Sequence, residues 1–118
     1  MIQSYKDMRV YQKAYEYSIT VHRLTLTFPQ IEQYELGSQL RRSSKSIAMN
    51  IAKGFAKRKS IAEFRRFITI AIGSNDEVLV QLEYCKDLGY LSTDQYEELT
   101  SAYAEIGGML TKTYRTWE

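Results

Sequence analysis

Three features of the sequence predict an all-α chain folded as an antiparallel up-down-up-down four-helix bundle. Apolar residues recur at alternating three- and four-residue steps in four separate segments, the spacing of one face of a helix. Proline is confined to Pro29, so helices can run long without losing internal hydrogen bonds. Capping and stop residues lie between the segments and leave short connections, which make consecutive helices antiparallel neighbours.

The first segment carries Val10, Ala14, Tyr17, Val21, Leu24 and Phe28. It predicts a helix over 6–27 that Pro29 ends. The second carries Leu36, Leu40, Ser44, Ile47, Ile51 and Phe55 and predicts a helix over 34–56, with small residues at Ser43, Ser44 and Ala48 allowing close approach. The third runs from Ile61 through Phe64, Ile68, Ala71, Asn75, Val78 and Leu82 to Cys85. Ser60 with Glu63 forms a capping box ahead of it, and Gly89 supplies a C-terminal stop. The expected span is 61–88, roughly 42 Å at about 1.5 Å per residue. The fourth holds Tyr96, Leu99, Tyr103, Ile106, Leu110, Thr113 and Trp117. Ser92 with Gln95 opens it, and the expected span is 93–116.

Two features interrupt this pattern. Asn75 falls on the apolar seam, where a buried amide must be hydrogen-bonded and can fix register between helices. Asn50 invites the same reading. Gly107-Gly108 sits inside the fourth helix, where each glycine costs about 1 kcal/mol relative to alanine. The pair marks close packing, a kink or fraying.

Composition fits one domain over residues 1–118. Hydrophobic residues make up 44% and charged residues 25%, too apolar for disorder. The N-terminus lacks the basic and apolar regions of a signal peptide. No stretch approaches the roughly 20 apolar residues of a membrane span. The single cysteine, Cys85, rules out an intrachain disulfide and fits a reducing compartment. The expectation is a soluble, cytoplasmic domain.

Little in the chain points to catalysis. His22 is the only histidine, and no acid or cysteine lies one helical turn from it. Cys85 lies on the core stripe, where a thiol is structural rather than reactive. The Glu-x-x-His motif of dinuclear metal bundles is absent, as are the glycine-rich phosphate and dinucleotide loops. The reading is therefore not an enzyme, with no catalytic residue, metal site or cofactor.

Charge is more informative. Residues 38–66 hold nine basic side chains (Arg41, Arg42, Lys45, Lys53, Lys57, Arg58, Lys59, Arg65 and Arg66) against one acidic, Glu63, for a net +8. Residues 1–37 are neutral, and residues 67–118 carry a net −6. Like charges at this density repel one another unless something anionic compensates. Three compensators are open: nucleic-acid phosphates, whose binding is strongly salt-dependent; the acidic helices of the same assembly; or an acidic protein partner. No recognition-helix or aromatic RNA-binding signature accompanies the block, so phosphate contacts would read charge and shape more than sequence.

A second stripe on the first helix holds Met8, Tyr11, Tyr15, Ile19, His22 and Leu26. It extends a wide core face with tyrosines at its rim, or it forms a subunit interface.

The run Tyr5-Lys6-Asp7-Met8-Arg9-Val10-Tyr11-Gln12-Lys13-Ala14 resembles the opening of the 23S rRNA-intervening-sequence proteins. So does the stretch from Gln39-Leu40-Arg41-Arg42-Ser43-Ser44-Lys45 to Asn50-Ile51-Ala52-Lys53-Gly54-Phe55. Ile70-Ala71-Ile72-Gly73-Ser74 and Lys86-Asp87-Leu88-Gly89-Tyr90-Leu91 match further stations. The accessory variability protein of diversity-generating retroelements is a related bundle. The resemblance implies a four-helix bundle assembled as a ring-like homopentamer, with Met8, Tyr11, Tyr15, Ile19 and His22 as a candidate oligomer interface. It favours RNA or DNA binding over catalysis. A protein-interaction adaptor that docks a polymerase or reverse transcriptase is the alternative. The family usually has proline and alanine where Ala48 and Met49 stand, and glutamate where Lys53 stands. Lys53 therefore strengthens the basic surface in this chain.

Overall fold

A computed structural model describes residues 2–117. Among them the elements are a 3-10 turn, Tyr5–Asp7, and five helices: α1 (Arg9–Thr25), α2 (Gln30–Tyr34), α3 (Leu36–Ala56), α4 (Ile61–Asp87) and α5 (Thr93–Thr116). The four long helices form the expected antiparallel bundle. α1 packs on α3, α3 on α4, α4 on α5, and α5 closes back on α1. α1 and α4 therefore occupy diagonal corners of a rod 45 Å long. The N-terminus of α1, the C-terminus of α3, the N-terminus of α4 and the C-terminus of α5 share one end.

The four predicted stripes supply the core. Leu40, Ile47, Ile51, Phe64, Ile68, Leu82, Tyr103, Ile106 and Leu110 are all fully buried. Tyr17, Leu24, Leu36 and Trp117 pack half-buried around them. Each buried Leu, Ile or Phe side chain contributes about 1.5–3 kcal/mol.

The sequence misplaced the start of two helices. α1 begins at Arg9 rather than residue 6, because residues 5–7 form their own capped turn. The Ser4 hydroxyl accepts from the Lys6 amide, and the Asp7 carboxylate accepts from the amides of Gln3 and Ser4 at 2.9 and 3.0 Å. Met8 then turns extended before α1 starts. Likewise the second predicted helix does not run from residue 34. Pro29 opens the short α2, and Glu35 breaks out of helical geometry before α3 begins. The bend brings backbones into close approach. A Cβ on Gly37 would lie 2.8 Å from the Glu32 carbonyl oxygen.

The remaining punctuation matches with one difference. Ser92 and Gln95 form the full capping box, whereas Ser60 accepts from the Glu63 amide without the reciprocal bond, because the Glu63 carboxylate pairs with Arg66. Gly89 takes the left-handed conformation at φ +84° after α4. α5 passes through Gly107-Gly108 as one continuous helix. Close packing explains Gly107, since a Cβ there would sit 3.0 Å from the Asn75 side-chain nitrogen.

Candidate nucleic-acid interface

The turn between α3 and α4 sits on the end of the rod. Gly54 lets the two helices converge there, for a Cβ would meet the Phe64 carbonyl oxygen and the Phe67 Cβ, each at 3.3 Å. The chain reverses through tight backbone bonds. Lys57 N–H donates to the Gly54 carbonyl, Arg58 N–H to Phe55 and Ser60 N–H to Lys57. Lys57, Arg58 and Lys59 are thereby presented to solvent.

Three arginines at this end are braced against aromatic rings. The Arg58 guanidinium lies 4.0 Å from the centre of the Phe55 ring and donates to the Phe55 carbonyl at 2.9 Å. Phe55 in turn meets Trp117 edge-on, and Trp117 stacks on Phe64 with centroids 4.5 Å apart. Arg65 donates to the Tyr114 carbonyl at 3.0 Å and lies over the Tyr114 ring. Arg66 lies 4.3 Å from the Phe67 ring centre and pairs with Glu63 at 2.9 Å. That hydrogen bond holds the Glu63 carboxyl below its ordinary range, helped by the charges of Arg66 and Lys57. Stacking fixes a guanidinium plane while leaving other N–H groups free to donate.

The nine basic residues do not form one patch. Lys53, Lys57, Arg58, Lys59, Arg65 and Arg66 cluster at the α3–α4 end. Arg42 is exposed farther along α3. Arg42, Lys53, Lys57 and Lys59 have no side-chain hydrogen bond or ion pair among the described residues.

Arg41 departs from expectation. It donates to Thr25 Oγ1 and to the Gln33 carbonyl, each at 2.7 Å. Its guanidinium fastens the ends of α1 and α2 to α3, so two of its five N–H donors are committed within the fold. Lys45 is also engaged, with Nζ 3.0 Å from His22 Nδ1. Burial and the neighbouring charges of Lys45, Arg41 and Arg23 push the His22 pKa below its ordinary value. A neutral His22 that accepts the Lys45 proton donor satisfies this geometry.

Compensation among the described residues is slight. Glu63 is the one carboxylate paired with the basic block among the described residues. Glu105 of α5 instead pairs with Lys13 of α1 at 2.5 Å. The acidic residues near the α4–α5 turn, including Asp87, Asp94, Glu97 and Glu98, lie at the opposite end of the rod. The bundle is consequently polarised along its length, basic at one end and acidic at the other.

The tyrosine stripe lines a groove between α1 and α3. Tyr5, Tyr11, Tyr15, Ile19, Lys45 and Met49 contribute to it, and its volume is about 420 Å³. Tyr5 meets Tyr11 edge-on at 4.9 Å, and Tyr11 stacks with Tyr15 at 6.0 Å. Met8 does not belong to this surface. It is buried in the bundle's own core, because the extended residue before α1 turns its side chain inward. Tyr11, Ile19 and His22 are half-buried and Tyr15 is exposed.

The residues best suited to chemistry are placed apart. Cys85 is fully buried, and desolvation pushes its thiol up to about 12. Among the described residues no group of three His, Cys, Asp or Glu side chains is placed to hold a metal ion. No described helix is long and apolar enough to cross a membrane.

The fold and this surface define a small all-α bundle with an arginine-rich, aromatic-braced end. The chain belongs to the 23S rRNA-intervening sequence protein family, whose model matches residues 6–112. A crystal structure of an S23 ribosomal protein family member from Bacteroides thetaiotaomicron, described as of unknown function, superposes with a TM-score of 0.83 at 25% identity. The match covers 91% of this chain and 96% of that one. No curated protein matches the chain.

Sequence reasoning found the charge block but missed its aromatic bracing and the diversion of Arg41. The first had a local signal, since Phe55 and Arg58 are one helical turn apart and Arg66 adjoins Phe67. The second had none, because Thr25 lies 16 residues from Arg41.

Proposed function

We propose that this protein is a non-catalytic nucleic-acid-binding bundle that contacts RNA or DNA phosphates through the α3–α4 end, within an oligomeric ring. One observation carries the reading. Among the described residues, Lys53, Lys57 and Lys59 stand without internal partners beside three arginines held on aromatic faces, and Glu63 is the one carboxylate paired there. Such a surface attracts polyanions and releases their counterions on binding. It reads backbone charge rather than base identity. A ring would present several such ends together and multiply weak contacts through avidity.

The test is fluorescence anisotropy of structured RNA and duplex DNA across a salt series. Affinity should fall steeply with salt. The triple variant Lys57→Glu, Arg58→Glu, Lys59→Glu should weaken every sequence alike and flatten the salt slope by about 0.9 for each lost phosphate contact. Absence of binding at low salt refutes the proposal.

The groove lined by Tyr5, Tyr11 and Tyr15 favours a second reading, a protein-interaction adaptor that docks a polymerase-like partner. An adaptor working through this groove keeps its partner after the triple charge reversal.

A further inference from the structure

α4 carries a second seam on the side away from the core, apolar apart from one carboxylate. Ile70, Gly73, Glu77, Val80 and Tyr84 follow steps of three, four, three and four, so they share one helix face. Val80 and Tyr84 are 52% and 59% exposed. With Leu36 and Gln39 of α3, most of the seam lines a shallow groove. Among the described residues, nothing beyond its chain neighbours and its own turn of helix comes within 4 Å of the position a Gly73 Cβ would take. A mid-helix glycine costs about 1 kcal/mol relative to alanine, and the chain's own packing supplies no reason for this one. Close approach by another body does.

We infer that this α4 seam docks into the α1–α3 tyrosine groove of a second copy of the chain. This rests on the oligomeric part of the proposed function and names its missing counter-face. Charge complementarity identifies the occupant. Asp76 and Glu77 line the α4 groove, whereas Lys45 lines the tyrosine groove with Arg41 and Arg23 near it through His22. Lys45 gives one N–H to His22, leaving two of its three donors for an incoming carboxylate. Relief complements charge: Tyr15 projects at 53% exposure, and Gly73 leaves a dent of side-chain size.

The two faces differ, so the contact is head-to-tail. Each copy that uses one face leaves the other open, and growth continues until a ring closes or a filament extends.

Two exposed substitutions test the pairing by sedimentation velocity on the protein alone. Tyr15→Glu spoils the groove and leaves the seam intact; Val80→Glu does the reverse. The wild type should sediment as an assembly, and each variant alone as a monomer that keeps its helical circular dichroism and melts cooperatively, at or below the wild-type temperature because assembly no longer stabilises it. Mixed in equal amounts, the variants should form a 1:1 pair that grows no further. Gly73→Trp, which fills the dent without adding charge, should replace Val80→Glu with the same result. An assembly that survives Tyr15→Glu, or a mixture that stays monomeric beside an assembled wild type, overturns the seam and leaves the ring reading standing. A monomeric wild type overturns both. Salt-dependent binding at the α3–α4 end is scored separately from each of these outcomes.

Discussion

Asn75 of α4 donates its side-chain amide to the backbone carbonyl of Tyr103 on α5 at 2.9 Å, at the point where Gly107 leaves that amide room. Both Asn75 and Tyr103 are buried. The bond from the amide nitrogen sets one helix against the other at a single register, while the same side chain's Oδ1 is buried without a hydrogen-bond partner among the described residues.

The two adjacent glycines should therefore respond oppositely to alanine. Gly108 is exposed with open space around it, so Gly108→Ala should stabilise by up to about 1 kcal/mol through helix propensity. At Gly107 the new methyl meets the Asn75 nitrogen at 3.0 Å, and displacing a bonded, buried amide outweighs the propensity gain. Gly107→Ala should lower the midpoint of urea unfolding while Gly108→Ala raises it. Equal gains at both positions would show that Asn75 is not confined.

Arg41 and the α3–α4 turn should separate stability from binding. Removing the Arg41 guanidinium leaves Thr25 Oγ1 and the Gln33 carbonyl without their donor. Loss of such charged hydrogen bonds costs about 1.5–3 kcal/mol each before solvent replaces any of them. Arg41→Ala should thus lower the melting temperature by several degrees and leave the salt slope of nucleic-acid binding nearly unchanged. Lys59→Ala, at an exposed residue without a partner among the described residues, should do the opposite.

Much of the fold was legible because burial imposes a period. The stripes through Leu40, Ile68 and Ile106 could be read directly, and Ser60, Gly89 and Ser92 marked their ends. The start of α1 was misplaced because the Ser4–Asp7 turn is also helical in character, and propensity alone does not separate it from the helix that follows. The site was legible only as charge. Whether a cation is free depends on contacts across the fold, as with Arg41 and Thr25. No local pattern encodes such pairs. The α4 seam was present as spacing, but the stronger core stripe on the same helix masked it.

Cys85 should be inert in the native state. Its thiol is fully buried, and desolvation together with the charge of Glu32 holds its pKa at about 12. The thiolate that attacks disulfide reagents is then nearly absent at pH 8. Ellman's reagent should find no reactive thiol in folded protein and one per chain in denaturant. Rapid native labelling would mean that α4 opens locally near Asp87.

His22 should make stability depend on pH with a definite sign. Its folded pKa lies below the ordinary value of 6.5, through burial and the charges of Lys45, Arg41 and Arg23. The unfolded chain then binds the proton more tightly than the folded one, so stability falls as pH drops through 6.5 toward the folded pKa. The full contribution is present above 6.5, where both states are neutral. Protonation also ends the Lys45 contact, since Nδ1 can no longer accept. Because His22 is the only histidine, its ring resonances can be titrated by NMR without assignment. The expected midpoint is below 6.5, rising toward it in Lys45→Ala. Between pH 7 and pH 5, His22→Gln should lose less thermal stability than the wild type. A midpoint at or above 6.5 would mean that Lys45 does not hold the ring neutral.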